Sequence, residues 1–332
     1  MGTNLLLTVV LPTFNRLDKL KISLPTILKT KRQDVQFLIL DNNSTDGTSD
    51  FIKKQMLNDS RIQLITHSKN LHINLNTFEG FKRVRSPYAM WLADDDIIEG
   101  DYIEKCIEIF EKYPSISLVH NRVNNLSLNK EVNEFEIFSK GREAIIKIFT
   151  RGSSFPGLCY RMSCFDLDEY PQDEKKIYCL VKMNLLIAKK YDIAITNKSG
   201  LKSLTEQTKN NLKDIIFSQR RSSDYNVGEI LSYAKGFVED SLFVLLCQKL
   251  TPWVLEMAKH FANEDYQKFI KSISKNLGSY YFPFLIKLLF VRFDIKIIYY
   301  LLINLININN YKYHFFTLVL IVKKITYRII KF

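Results

Sequence analysis

The chain has 332 residues, 46% hydrophobic and 25% charged, a composition that belongs to a folded globular protein and excludes a disordered one. Its net charge of +12 is unevenly placed: residues 1–120 hold 15 basic and 15 acidic side chains, which argues against a nucleic-acid surface there. Five cysteines, an odd number without a CxxC pair, suggest neither a disulfide framework nor a zinc knuckle, and they favour a reducing compartment.

The first segment, MGTNLLLTVVLP, lacks a positive n-region and meets Pro12 early, so it reads as a strand and not as a signal peptide. Apolar runs at 5–11, 35–40, 61–66, 88–93 and 116–120 have the length and composition of strands. Helix-like stretches fall between them at 17–30, 48–57, 75–85 and 102–112. Strands alternating with helices predict an α/β fold with a mixed, mostly parallel sheet and helices on both faces. In such sheets ligands bind beyond the carboxyl ends of the strands. The loops PTFNR (12–16), DNNSTDGT (41–48), HSKNLHINLN (67–76) and ADDD (93–96) all fall at that edge.

From 121 to 200 the pattern loosens. VNNLSLNKEVNEF reads as a loop, followed by a helix near 139–150 that Ser139 caps. A Gly- and Pro-bearing loop with a short strand (151–165), a helix (175–190) and a last strand (192–196) complete this part. Beyond 205 the chain reads as helical, so we divide it into a sheet domain, 1–204, and a helical extension, 205–332. Residues 280–332 hold eight basic residues, one acid (Asp294) and 14 aromatics, the composition of a segment lying on a membrane surface. Charges such as Arg292 and Lys296 interrupt every apolar run too early for a spanning helix. A helical hairpin packed on the sheet domain suits the same tail.

Three of the loops carry candidate chemistry. In PTFNR, Pro12 stops the strand, Thr13 and Asn15 offer hydrogen bonds, and Arg16 suits a phosphate. In DNNSTDGT, Asp41 at a strand tip is able to accept from a base N–H or a ribose hydroxyl. Asn43, Ser44 and Asp46 are turn and cap formers. A plain strand-to-helix turn uses the same residues. ADDD places Asp94, Asp95 and Asp96 at the end of an apolar strand, where adjacent carboxylates repel and each pays for desolvation. A divalent cation, Mg²⁺ or Mn²⁺, offsets that repulsion, since hard cations take carboxylate and phosphate oxygens. A solvated acidic helix cap is the bland alternative.

PTFNR after the first strand, DNNSTDGT after the second and ADDD after the fourth together resemble the family 2 glycosyltransferases of the GT-A fold. The LADDD form looks like bacterial surface-polysaccharide sugar transferases, including abequosyltransferase-like members. The resemblance implies a nucleotide diphosphate sugar bound across the sheet edge. Carried over by position, Pro12, Thr13, Asn15 and Asp41 hold base and ribose, while Asp94 and Asp95 meet ribose and metal with Asp96 in support. The family's Asp-x-Asp motif fits either 94 and 96 or a form shifted onto Ala93. Asn70 and Asn76 are the functional positions of an Asn-rich loop in which His72 stands where a glycine is usual. Relatives carry an acidic pair before the helix ending near Lys190, one member acting as general base. IYCLVKMN has none here, and the nearest acids are Asp173 and Glu174, then Asp166, Asp168 and Glu169.

The expected activity is therefore metal-dependent, inverting transfer of a sugar to a saccharide or lipid-linked saccharide acceptor. The expected location is cytoplasmic, peripheral on the inner face of the cell membrane. The missing acidic pair leaves a catalytically impaired nucleotide-sugar-binding or membrane-surface scaffold partner as the alternative. A sugar-1-phosphate nucleotidylyltransferase would need a Gly-rich loop after the first strand, and PTFNRLDK has none.

Overall fold

The computed structural model describes residues 4–98, 100–121, 134–150, 157–173, 179–196 and 200–204, with a few positions between 233 and 242. The chain divides into two compact units, Met1–Ile215 and Ile216–Phe332. Apart from those few positions, the helices expected beyond 205 lie outside the described residues, as do the 280–332 tail and Glu174.

In the first unit, strands and helices alternate as β1 (Leu7–Thr13), α1 (Leu17–Ile27), β2 (Val35–Asp41), α2 (Thr48–Met56) and β3 (Ile62–Thr66). Next come α3 (His72–Arg83), β4 (Tyr88–Trp91), β5 (Asp96–Ile98), α4 (Tyr102–Lys112) and β6 (Ile116–His120). After them come β7 (Phe135–Phe138), α5 (Arg142–Thr150), β8 (Leu158–Arg161), α6 (Cys179–Lys190), β9 (Asp192–Thr196) and β10 (Leu201–Ser203).

All seven residues of β1 are buried, so its sequence, LTVVLPT, is mostly apolar instead of alternating, as a strand covered on both faces requires. Eight strands form one sheet in the order β3-β2-β1-β4-β8-β6-β9-β7. The pairs β1–β2, β2–β3, β1–β4 and β6–β9 are parallel, and those involving β7 or β8 are antiparallel. Because β2 follows on one side of β1 and β4 on the other, a crevice opens beyond the carboxyl end of β1. Helix α3 lies very close to the sheet: a Cβ on Gly80 would come within 2.5 Å of Val10 Cγ1. Helix α4 turns Ile103, Cys106, Ile107 and Phe110 inward at the spacing of one helical face.

Two expectations are corrected. The strand expected over 88–93 ends at Trp91, and Asp96 instead begins β5, which pairs antiparallel with β10 as a separate ribbon. The helix expected from Ser139 begins at Arg142, after Gly141 in a left-handed conformation (φ +88°). Ser139 contributes only its backbone carbonyl to that turn, accepting from Ala144 N at 3.2 Å. The four residues before it are β7, an edge strand paired with β9 that is too short and too mixed to stand out from the polar run before it. Among the described residues, no helix is long and apolar enough to cross a membrane.

Candidate active site

Beyond the ends of β1, β2 and β4 opens a cleft of about 460 Å³, walled by the β1 tip, the residue after β2, the start of α3 and the residues after β4. Among the residues singled out from the sequence, Pro12, Thr13, Arg16, Asn70, Asn76, Asp94 and Asp95 line it. Asn15, Asp41, Asn43 and Asp96 are not among the lining residues; the bonds of Asn15, Asp41 and Asp96 and the left-handed backbone of Asn43 show what they do instead.

The three aspartates divide the work. Asp94 is buried; its Oδ2 accepts from Thr13 Oγ1 at 2.9 Å, Arg16 Nε lies 3.9 Å from Oδ1, and Ser23 Oγ donates to its carbonyl at 2.7 Å. Burial pushes its carboxyl up to about 6; Arg16 and the Thr13 bond oppose that rise, and the neighbouring Asp95 adds to it. Asp95 is partly exposed in the cleft wall. Asp96, 1% exposed, turns inward: its Oδ2 accepts from Ala93 N at 2.8 Å, and its own N–H donates to Ala93 O at 3.2 Å. Asp96 thus closes the 93–96 turn that presents its two predecessors.

A desolvated carboxylate beside a second carboxylate is an arrangement that a cation relieves. Among the described residues no group of three or more His, Cys, Asp and Glu could hold a metal by itself. Asp94 and Asp95 therefore fit a hard cation of the kind that takes its remaining ligands from phosphate oxygens and water.

The loops that frame the cleft are bent by three non-glycine residues with left-handed backbones: Asn15 (φ 51°), Asn43 (φ 69°) and His72 (φ 59°). Asparagine and histidine tolerate this region better than most side chains. It also gives a physical reason for a glycine to be usual where this chain has His72, which lines the cleft rim. Asn15 joins the first loop to the second: its Oδ1 accepts from Thr45 N and its N–H donates to Ser44 Oγ, both at 2.8 Å. Asp46 ties the starts of α1 and α2, accepting from Leu17 N and Thr48 N at 3.0 Å each. Against the desolvation that burial imposes, the bonds from Thr48 and Leu17 hold its carboxyl below the usual range.

Asp41 is fully buried and serves its own turn, accepting from Ser44 N at 3.1 Å and from Ser49 Oγ. Its neighbour Asn42 is the residue that reaches the cleft. Asn42 N donates to Thr13 O (2.9 Å), its Oδ1 accepts from Leu71 N (2.7 Å), and its Nδ2 donates to Asn70 Oδ1 (2.9 Å). Sequence reasoning passed over Asn42. The alternation of side chains along an extended chain was the available signal, because two successive residues at a strand tip do not face the same side. Asn76 is buried and fixed on both ends of its amide, by Leu40 O at 3.0 Å and His67 Nε2 at 2.9 Å.

The remaining candidate, Asp173, is exposed and sits in the segment before α6. That segment is docked on α3 through an aromatic cluster. Tyr170 stacks on Phe78 at 5.2 Å and Phe165 on Phe81 at 4.5 Å. Asn74 Nδ2 holds its backbone, donating to Pro171 O at 2.7 Å and Asp173 O at 3.0 Å. Ile73 and Asn76 on the same helical turn line the cleft, so one turn of α3 touches both the cleft and the segment that carries Asp173.

Comparison with known proteins matches this arrangement to one family. The description "Glycosyl transferase family 2" fits residues 8–168. The glycosyltransferase GlyA of Streptococcus pneumoniae serotype 4 is 22% identical over 201 residues, 58% of this chain and 27% of that protein. The GalNAc(5)-diNAcBac-PP-undecaprenol beta-1,3-glucosyltransferase of Campylobacter jejuni is 28% identical over 91 residues, 27% of this chain and 29% of its own length. The chain thus spans less than a third of the length of these two relatives. In structure, the fold matches residues 1–349 of S. aureus TarS bound to UDP-GlcNAc, with a TM-score of 0.59 at 13% identity, over 86% of this chain and 82% of that one. At that identity the match speaks for the fold, an eight-stranded GT-A sheet, and residues 8–168, which include the whole lining of the cleft, are similar to glycosyl transferase family 2.

Proposed function

We propose that the chain transfers a sugar from a nucleotide diphosphate sugar to a saccharide acceptor hydroxyl in bacterial surface-polysaccharide synthesis. One observation carries the reading: Asp94 and Asp95 stand side by side in the wall of a cleft at the strand ends, with Arg16 3.9 Å from Asp94. Nucleotide-sugar chemistry needs that pairing, a cation to hold the diphosphate and a guanidinium to share its charge. Mg²⁺ or Mn²⁺ held by Asp94 and Asp95 would stabilise the charge that develops on the departing nucleoside diphosphate. Thr13 keeps Asp94 in place through its 2.9 Å bond, and Asn42 with Asn70 fixes the opposite wall. The similarity to a GalNAc(5)-diNAcBac-PP-undecaprenol glucosyltransferase favours a lipid-linked acceptor. The basic, aromatic tail at 280–332 would then hold the sheet domain, residues 1–204, against the inner face of the membrane.

Asp173, whose backbone is bonded to the helix that lines the cleft, is our candidate for the general base, and attack by a deprotonated acceptor would invert the anomeric centre. Release of nucleoside diphosphate from UDP-GlcNAc, UDP-glucose and GDP-mannose, measured with Mn²⁺ and with excess EDTA, tests the proposal. Turnover of one donor that EDTA abolishes supports it. Equal turnover in EDTA removes the metal, and no turnover of any donor favours a binding protein without catalysis.

A further inference from the structure

We propose that Asn74 is a positioning residue that sets the place of Asp173, an inference that rests on the transferase reading above. Asn74 is 3% exposed, and both protons of its amide are spent on backbone carbonyls of one segment, Pro171 O at 2.7 Å and Asp173 O at 3.0 Å. Its own Oδ1 is buried without a hydrogen-bond partner. An unsatisfied buried acceptor is costly, and a leucine of similar size would avoid that cost. What the amide supplies and leucine lacks is a pair of donors aimed at the 171–173 backbone. Tyr170 OH, 3.4 Å from Asn74 O, and the Phe78–Tyr170 stack lock the same segment to the same helix.

The helix has two jobs on one turn. Ile73 and Asn76 face the cleft, while Asn74 between them faces the segment that carries Asp173. A shift of that segment moves a candidate base relative to the donor without touching any residue that lines the cleft. Such misplacement costs turnover and leaves donor affinity alone.

The test uses the full chain with Asn74→Leu, which keeps the volume and removes the donors, and Asn74→Asp, which keeps the shape and replaces both donors with acceptors. Hydrolysis of the donor that the wild type turns over, with water as acceptor, gives kcat and KM. Titration with UDP and Mn²⁺ gives nucleotide affinity. The expected result is a kcat lowered roughly 10–100-fold with KM and UDP affinity within about twofold of wild type. In an Asp173→Ala background the same substitutions should cost almost nothing more, because residues that act as a unit are non-additive. Hydrogen exchange should rise in the peptide spanning 165–173 and stay unchanged in the β1 and β4 loops. Wild-type kcat in Asn74→Leu, a loss undiminished in the Asp173→Ala background, or unchanged exchange at 165–173 would each overturn the proposal. A wild type that turns over no donor defeats the transferase reading instead, and is read before any variant.

Discussion

The two halves of the sheet domain are built by different rules. On the donor side, β1 to β4 are parallel, the first three each followed directly by a helix, and every strand ends in a polar loop at one edge. On the side of Asp173, β8 and β7 are antiparallel, β5 and β10 form a separate ribbon, and short helical turns carry the acids. The first half gains its site from topology alone: parallel strands deliver all their loops to one edge. The second half is held in place by tertiary docking, through Asn74 and the Phe78, Phe81, Phe165 and Tyr170 cluster. Damage should follow that division, with substitutions on the donor side acting on nucleotide and metal, and substitutions on the other side acting on turnover or stability.

The largest effect is expected at Asp95, which lines the cleft beside Asp94. Asp95→Asn keeps shape and removes a charge, and the loss of metal-borne charge stabilisation should lower donor turnover by about 10²–10⁴-fold, several kcal/mol. Stability should change little, so thermal unfolding beside the turnover assay separates chemistry from folding. An Asp95→Asn enzyme with normal metal dependence would contradict the donor-side assignment.

On the other side, Arg161 at the end of β8 holds the sheet to α4. Its guanidinium donates to Ile116 O and Phe110 O at 2.9 and 2.7 Å, and it lies 5.2–5.3 Å from the rings of Phe110 and Tyr88. Arg161→Ala removes those bonds and the ring contacts and should cost about 2–4 kcal/mol in denaturant unfolding. Nucleotide affinity of the folded fraction should be unchanged.

The Asp94 carboxyl gives a pH signature confined to the donor side. Its folded value of about 6 exceeds the ordinary 3.8, so the folded protein binds the extra proton between those values. Without metal, stability should therefore fall as pH rises from 4 to 6, by about 3 kcal/mol at the limit, and Asp94→Asn should flatten that slope. Metal and nucleotide binding require the deprotonated form, so affinity should rise over the same interval. Urea unfolding at several pH values reads the first effect, and titration calorimetry reads the second.

The smallest expected effect separates two adjacent residues. Asp41 serves its own turn and Asn42 the cleft wall, so Asn42→Ala should weaken UDP binding by about 1–2 kcal/mol, whereas Asp41→Ala should act mainly on stability. The reverse ranking would return Asp41 to direct contact with the nucleotide.

The same division governs what could be read from the chain. Strand-length apolar runs and the polar loops after them located β1, β2, β3, β4 and β6 and the edge that carries the cleft; in β1, β2, β4 and β6 burial on both faces writes itself as nearly continuous hydrophobicity, whereas the edge strand β3 stood out by length and composition. The motif around Asp94 marked a turn that lines the cleft. Which of its aspartates faces the cleft depends on the Ala93–Asp96 hydrogen bonds, and no pattern in ADDD reveals them. Beyond residue 121, FEIF is four residues long and LKS three, too short for periodicity to register, and their pairings with β9 and β5 are distant along the chain. Asn74 was unreadable for the same reason: its partners, Pro171 and Asp173, lie 97 and 99 positions away.

The most direct test of the central claim is calorimetric titration of UDP, GDP, CDP and dTDP into the full chain, with and without Mn²⁺, repeated on Asp95→Asn and Asn74→Leu. The account predicts that one nucleotide binds the wild type and Asn74→Leu alike in Mn²⁺, and that binding is lost without the metal or in Asp95→Asn. Binding that ignores both Mn²⁺ and Asp95, or that disappears in Asn74→Leu while Asp95→Asn keeps it, would contradict the account.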